Sequence, residues 1–354
     1  MNDRAIHNLA YRVESGGYST TDRVRNAVMT ACCNHERRSL ALPPLQIVTV
    51  DHYTAKWAVA AIEWLRRRRI ADHILRRPKR IYIEVLEASL LPVGRYGFYN
   101  GVGGALADMI VHLLQPLRAI AGSATIKDLL DAMRVVEIRR AQYEDEGDLN
   151  DTDLHAAGAD RLWPDTETFA AVHLEFTGPP WNGTPVFIRT GKGFLPESKK
   201  IAIEGFDDDH PVTLICDIAE RHIRLETAAV DGSDGEGETN REQYSAGRRR
   251  VWLQTQQIPV PGPVSGRWLG TEADEYGVVF DALTRWETPD PRYFPDVEEA
   301  AAACDFFFGA LARDRTAHPR LERYPTKDYT GEKVLSWMAK QAGWMEGLVE
   351  GDIP

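Results

Sequence analysis

The sequence predicts an α+β fold built around a large, mainly antiparallel sheet. Two observations carry that expectation. Strand patterns follow one another through the middle of the chain with connections of only turn length, which favours antiparallel neighbours. Long helical patterns stand before and after that block. The 354 residues are 43% hydrophobic and 27% charged, a balance that buries a real core and excludes wholesale disorder.

In chain order, residues 20–31 (TTDRVRNAVMTA) open on Thr and Asp and set Val24, Val28 and Met29 on one helical face. Residues 44–50 (PLQIVTV) are short and β-branched, as in a strand. Residues 56–75 form a long helical pattern with Val59, Ile62, Ile70 and Ile74 on the apolar side, and carry the arginine run 66–69. That run reads as a solvated or subunit-facing helix side. Residues 81–86 alternate like a strand, and 101–120 form a helix entered through GVGGAL. Strands are expected at 168–176 and 185–189, flanking a turn at 178–183. Further strands follow at 201–205, 211–217 and 221–227, then helices at 273–286 and 297–312. Two stretches, 144–160 and 230–242, are acidic and glycine-containing. Neither buries enough apolar surface to offset its ordering entropy, so both read as exposed connections.

Composition narrows the function classes. No uncharged apolar run approaches the ~18 residues of a membrane span. The N-terminal MNDRAIHNLAYRVESGG has no apolar signal core. Four cysteines without CxxC or metal-ligand spacing imply neither a disulfide framework nor a metal site, and a cytoplasmic setting is expected. A net charge of −11 argues against nucleic acid or an anionic membrane as the main partner.

Three constellations can carry chemistry. The strand pattern ending at Val50 runs into Asp51, His52, Tyr53 and, four residues past His52, Lys56. An imidazole, a phenol and a cation beside a helix start suit a phosphate. An Asp N-cap with solvated neighbours explains the same stretch, residues 51–56. Asp108 and His112, at i and i+4, share one face of an otherwise apolar helix, where a satisfied core histidine is the simpler explanation. Arg189-Thr190-Gly191-Lys192 reads as a glycine turn at a strand end presenting two cations. The chain contains no GxSxG, HExxH, GxxxxGK[ST] or GxGxxG motif.

The order of these pieces resembles the glucose-6-phosphate dehydrogenase family, specifically its large C-terminal α+β domain. The matching segments run from VDHYTAK through EVLEASLLPVGRYGFYNGVGGALADMIVHLLQPL and VVEIRRAQY. They continue through DTETFAAVHLEFTGPPWNGTPVFIRTGKGF to EYGVVFDALTRWETPDPRYFPDVEEA. The resemblance implies helices packed on one face of the sheet, with residues 51–354 forming that domain. Residues 1–50 resemble the last β-α-β of a Rossmann-like nucleotide-binding domain, a remnant. By the same resemblance His52, Tyr53 and Lys56 hold a sugar 6-phosphate, and Asp51 orients the catalytic histidine. His112 matches the base that takes the C1 hydroxyl proton. Glu87 and Asp108 match sugar-hydroxyl ligands, and Lys192 matches the lysine of the family's RTGK segment. Dimerisation through the large sheet is also implied.

The chain departs from the family pattern in four places. The glycine-rich phosphate loop is missing, and Glu14-Ser15-Gly16 stands where the family has Glu-Lys-Pro. Asp108 and His112 are four apart where the family has five. Ala55 replaces a glycine, and Asn100 replaces an aspartate. The expectation is therefore a sugar-phosphate-binding protein, its ligand a hexose phosphate or analogue. Non-redox acid/base chemistry by His112 with Asp51, of isomerase, epimerase or lyase type, needs no cofactor in the isolated chain. Two alternatives stand beside it: an NADP-dependent dehydrogenase whose cofactor domain comes from a partner chain, and a non-catalytic assembly or regulatory relative.

Overall fold

The computed structural model describes residues 35, 38–40, 55–91, 99–100, 104–144, 162–179, 181–194, 197–207, 210–229, 243–246, 249–258, 297–318 and 320–324. The expected helices at 20–31 and 273–286 and the strand at 44–50 lie outside them. So do the β-α-β remnant they imply and nearly all of the two acidic connections. The boundary between residues 50 and 51 also falls there.

Among the described residues ten strands form one sheet. They are β1 (Arg80–Glu87), β2 (Met133–Tyr143), β3 (Phe169–Phe176), β4 (Pro185–Lys192) and β5 (Ser198–Asp207), then β6 (His210–Asp217), β7 (His222–Ala229), β8 (Gln243–Ala246), β9 (Arg249–Ile258) and β10 (Glu322–Tyr324). Their spatial order is β10-β2-β3-β4-β1-β5-β6-β7-β9-β8. Neighbours run antiparallel except β1 with β4 and β10 with β2. The α+β architecture expected from the sequence is the one observed.

Helices within the described residues include α1 (Ala55–Arg68), α2 (Asp72–Arg76), α3 (Gly104–Ala121), α4 (Ile126–Asp131) and α5 (Val297–Ala317). Alternation along the strands decides which face they cover. Ile81, Ile83 and Val85 of β1 share a core cluster with Val172 of β3, Ile188 of β4 and Ile201 of β5. The same cluster holds Ile62 of α1, Leu113 of α3 and Phe307 of α5, so these helices sit on one face of the sheet. The opposite face carries a cross-strand row in which His173 and Tyr82 both stack on Phe187, at 4.7 and 5.3 Å between ring centroids.

One expected helix is two. The pattern read as continuous over 56–75 breaks after Arg68, where Arg69 takes φ 56° and Ala71 φ 53°. The Ile70 N–H donates to the Leu65 carbonyl at 3.0 Å and the Arg69 N–H to Arg66 at 3.1 Å, the paired closure of a Schellman motif. Ile70 packs on the core just beyond the break, and Ile74 is fully buried. The apolar phase thus passes through two left-handed residues, Arg69 and Ala71, and no glycine or proline marks it. A capping box closes the short α4: the Thr125 hydroxyl accepts from the Asp128 N–H at 3.0 Å, and Asp128 accepts from the Thr125 N–H at 3.2 Å.

Among the described residues no helix is long and apolar enough to cross a membrane.

Candidate functional site

The parallel pairing of β1 with β4 sets Glu87 opposite Lys192, at the last position of each strand. Their parity matches Ile83 and Ile188, so both side chains lie on the helix-covered face. Both residues are buried, and Lys192 Nζ forms a salt bridge with Glu87 Oε2. Glu87 Oε1 also lies 3.4 Å from Lys199 Nζ, on β5, which itself reaches Glu197 at 2.8 Å. Burial works to lower the Lys199 pKa, but the two carboxylates outweigh it and hold the group above its ordinary value, fully cationic.

The RTGK segment is not a turn. Arg189 through Lys192 all belong to β4, and the positive φ comes at Gly193, 75°. Three residues apart on a strand, the two cations fall on opposite faces. Arg189 pairs with the buried Glu84 on the opposite face, so only Lys192 joins the site. Gly191 serves packing instead: an added Cβ would collide with the Phe194 ring.

Backbone hydrogen bonds bring α3 to this strand end. The Lys192 N–H donates to the Thr168 carbonyl at 2.9 Å, and the Ala105 N–H donates to the adjacent Glu167 carbonyl at 3.0 Å. The first turn of α3 therefore sits beside the end of β4. Gly104 has φ +83°, and a Cβ there would lie 2.5 Å from both the carboxyl carbon and the carbonyl oxygen of Glu167. Only glycine permits that approach. Asp108 follows one turn later, half-buried, and accepts a hydrogen bond from the Tyr99 hydroxyl at 2.9 Å.

The backbone at 108 and 112 belongs to one uninterrupted α-helix, so the Cβ atoms of Asp108 and His112 share a face. Pro116 stands inside this helix. Having no N–H, it leaves the carbonyl of residue 112 without its i+4 donor. The side chains of His112 and Lys56 lie outside the description; their backbones are in α3 and α1. Asp51, His52 and Tyr53 lie wholly outside it. The structure thus brings Glu87 and Lys192 together beside the helix that carries Asp108.

Sequence reasoning missed Lys199. A signal was present: counting back from the buried Ile203 and Ile201 by twos puts a lysine on the buried side of its strand. It also missed the buried charge cluster behind the site. Arg140 contacts Asp314 Oδ2 at 2.6 Å and donates to the Asp165 carbonyl at 3.0 Å. Glu167 lies 3.7 Å from both Arg140 and Arg315, with no hydrogen bond to either carboxylate oxygen.

No family model matches the chain. It is 29% identical over 182 residues to the glucose-6-phosphate 1-dehydrogenase of Bacillus subtilis, covering 45% of this chain and 37% of that protein. It is 30% identical over 159 residues to glucose-6-phosphate 1-dehydrogenase 1 of Mycobacterium tuberculosis, covering 42% and 33%. The match thus spans about a third of either relative. Among solved structures, a glucose-6-phosphate dehydrogenase in complex with glucose 6-phosphate superimposes with a TM-score of 0.55 at 20% identity, over 83% of this chain and 62% of that one. The glucose-6-phosphate 1-dehydrogenase of Mycobacterium avium gives 0.51 at 19%, over 80% and 60%. These two likenesses show a shared fold.

Proposed function

From a chain related over part of its length to the glucose-6-phosphate dehydrogenases, we infer a protein that binds a sugar phosphate and moves a proton on it. The observation that carries this reading is the buried Glu87–Lys192 pair at the ends of two parallel strands, beside the helix bearing Asp108. Buried charges at a strand edge are costly unless they serve a ligand or a fold contact. Two carboxylates accept sugar hydroxyls, and Lys192 and Lys199 supply positive charge. The phosphate falls to His52, Tyr53 and Lys56. His112 is the base, held in its tautomer by Asp51.

The chemistry assigned to this chain is proton abstraction without hydride transfer. On an open-chain aldose phosphate, His112 takes the C2 proton, the electrons move to the carbonyl, and the enediolate is reprotonated at C1 or C2. No nicotinamide takes part. In the neighbouring reading, NADP is bound by a partner chain and the same base takes the C1 hydroxyl proton.

Incubation of the full chain with glucose 6-phosphate in deuterium oxide tests the assignment. Deuterium is expected at C2, and His112→Asn is expected to lower its incorporation about 100-fold or more. Bound sugar phosphate without incorporation contradicts proton abstraction, and NADPH formed by the chain alone on adding NADP contradicts chemistry without hydride transfer. A homodimer formed through the large sheet belongs to this proposal too; a monomeric mass by light scattering removes it.

A further inference from the structure

The side chain that meets Asp108 comes from a residue nine positions earlier, and its own neighbour is tied down elsewhere. Tyr99 is fully buried, yet its hydroxyl donates to Asp108 Oδ2 at 2.9 Å. A phenol in a core needs a partner, and here the partner is a carboxylate of the candidate site. The next residue, Asn100, is also buried. Its Oδ1 accepts from the Trp163 N–H at 2.8 Å and from the Thr166 hydroxyl at 2.9 Å. The segment that makes those two bonds continues into Glu167 and Thr168, whose carbonyls hold Ala105 of α3 and Lys192 of β4. One short stretch, 163–168, therefore braces the Tyr99–Asn100 pair, the start of α3 and the end of β4 together.

We propose that Tyr99 is a positioning residue that fixes the Asp108 carboxylate for the hydroxyl groups of a sugar, with segment 163–168 as its brace. The inference rests on the sugar-phosphate reading of the site. A carboxylate on a helix has a rotatable side chain, and a bond at one oxygen selects one rotamer. The remaining acceptor capacity is then aimed in a fixed direction. Asp108 is half-buried, so ordering it before the ligand arrives removes part of the ordering cost of binding. Such a device strengthens recognition of the sugar and leaves the phosphate contacts untouched.

Calorimetric titration of the full chain with glucose 6-phosphate and with inorganic phosphate separates the outcomes. Tyr99→Phe keeps the buried ring and deletes the donor. Its affinity for glucose 6-phosphate is expected to fall about tenfold, with inorganic phosphate bound as before, since one hydrogen bond to a charged group is lost. In the double variant with Asp108→Asn the two losses should be markedly less than additive. Thr166→Val, which leaves both members in place and loosens the brace, should produce a smaller loss of the same sugar-selective kind; it answers the question if Tyr99→Phe folds poorly. If Tyr99→Phe and Thr166→Val bind glucose 6-phosphate as the unchanged chain does, or weaken both ligands equally, the positioning role is wrong while the site reading stands. If the unchanged chain binds no glucose 6-phosphate, the site reading fails and takes this inference with it.

Discussion

Arg140→Met is expected to lower the stability of the chain by about 3–5 kcal/mol, read as a large drop in the urea midpoint. The Arg140 side chain is 1% exposed and joins β2 to α5 through Asp314 at 2.6 Å, with Glu167 at 3.7 Å. Removing it leaves two buried or nearly buried carboxyl groups without their main counter-charge, and the Asp165 carbonyl loses a donor. Methionine retains much of the stem volume, so lost packing does not dominate. The comparison variant is Arg134→Met, whose partner Glu175 lies at a similar 2.8 Å but whose side chain is 61% exposed. Solvent screens that pair, and its loss should cost less than ~1 kcal/mol. Equal effects from the two variants would mean that burial is not what makes the Arg140 cluster matter.

Glu167 is expected to make stability fall as pH rises from about 4.5 to about 7. Burial raises its carboxyl from the ordinary 4.5 to about 7, against the opposing pull of Arg140 and Arg315. The arginines stand near, yet neither makes a hydrogen bond to the carboxylate oxygens, so desolvation prevails. Between the two pH values the folded chain keeps a proton that the unfolded chain has released. Stability is then highest below about 4.5 as far as this group is concerned, falls through the interval, and is level above about 7. The interval corresponds to on the order of 3 kcal/mol. Glu167→Gln, which cannot ionise, should remove that falling limb from a series of urea midpoints across pH. An unchanged limb in the variant would assign it to other groups.

The cluster lies just behind the first turn of α3, so these two variants also probe the support of the site. That support was not legible in the sequence, because its members come from 140, 167, 314 and 315 and meet only in the folded chain. Local patterns were legible where alternation was clean. Strands β3 and β5–β7 stand where apolar residues recur every second position. Strand β2 lacks clean alternation. A register shift between Val135 and Glu137 breaks its period, and Val136 is left 43% exposed.

The RTGK segment misled for a different reason. Gly191 has the look of a turn, but its small size is needed to admit the Phe194 ring against β4. In the same way the arginine at 69 gave no hint that a helix ends there, since the residue adopts a conformation that glycine usually supplies. At the site, Glu87 and Lys192 were both marked by resemblance. That they pair with each other follows from the β1–β4 register, a contact between residues more than a hundred positions apart. Lys199 completes the arrangement through a contact of the same non-local kind, and Tyr99 through one nine residues long.

A sugar-phosphate site at the Glu87–Lys192 strand end is put to the test by calorimetric titration of the full chain with glucose 6-phosphate, with the Lys192→Met variant run in parallel. Saturable binding to the unchanged chain is expected, with a loss of about tenfold or more in the variant, as when a charged partner of a ligand is removed. No binding to the unchanged chain, or equal binding to both, would contradict it.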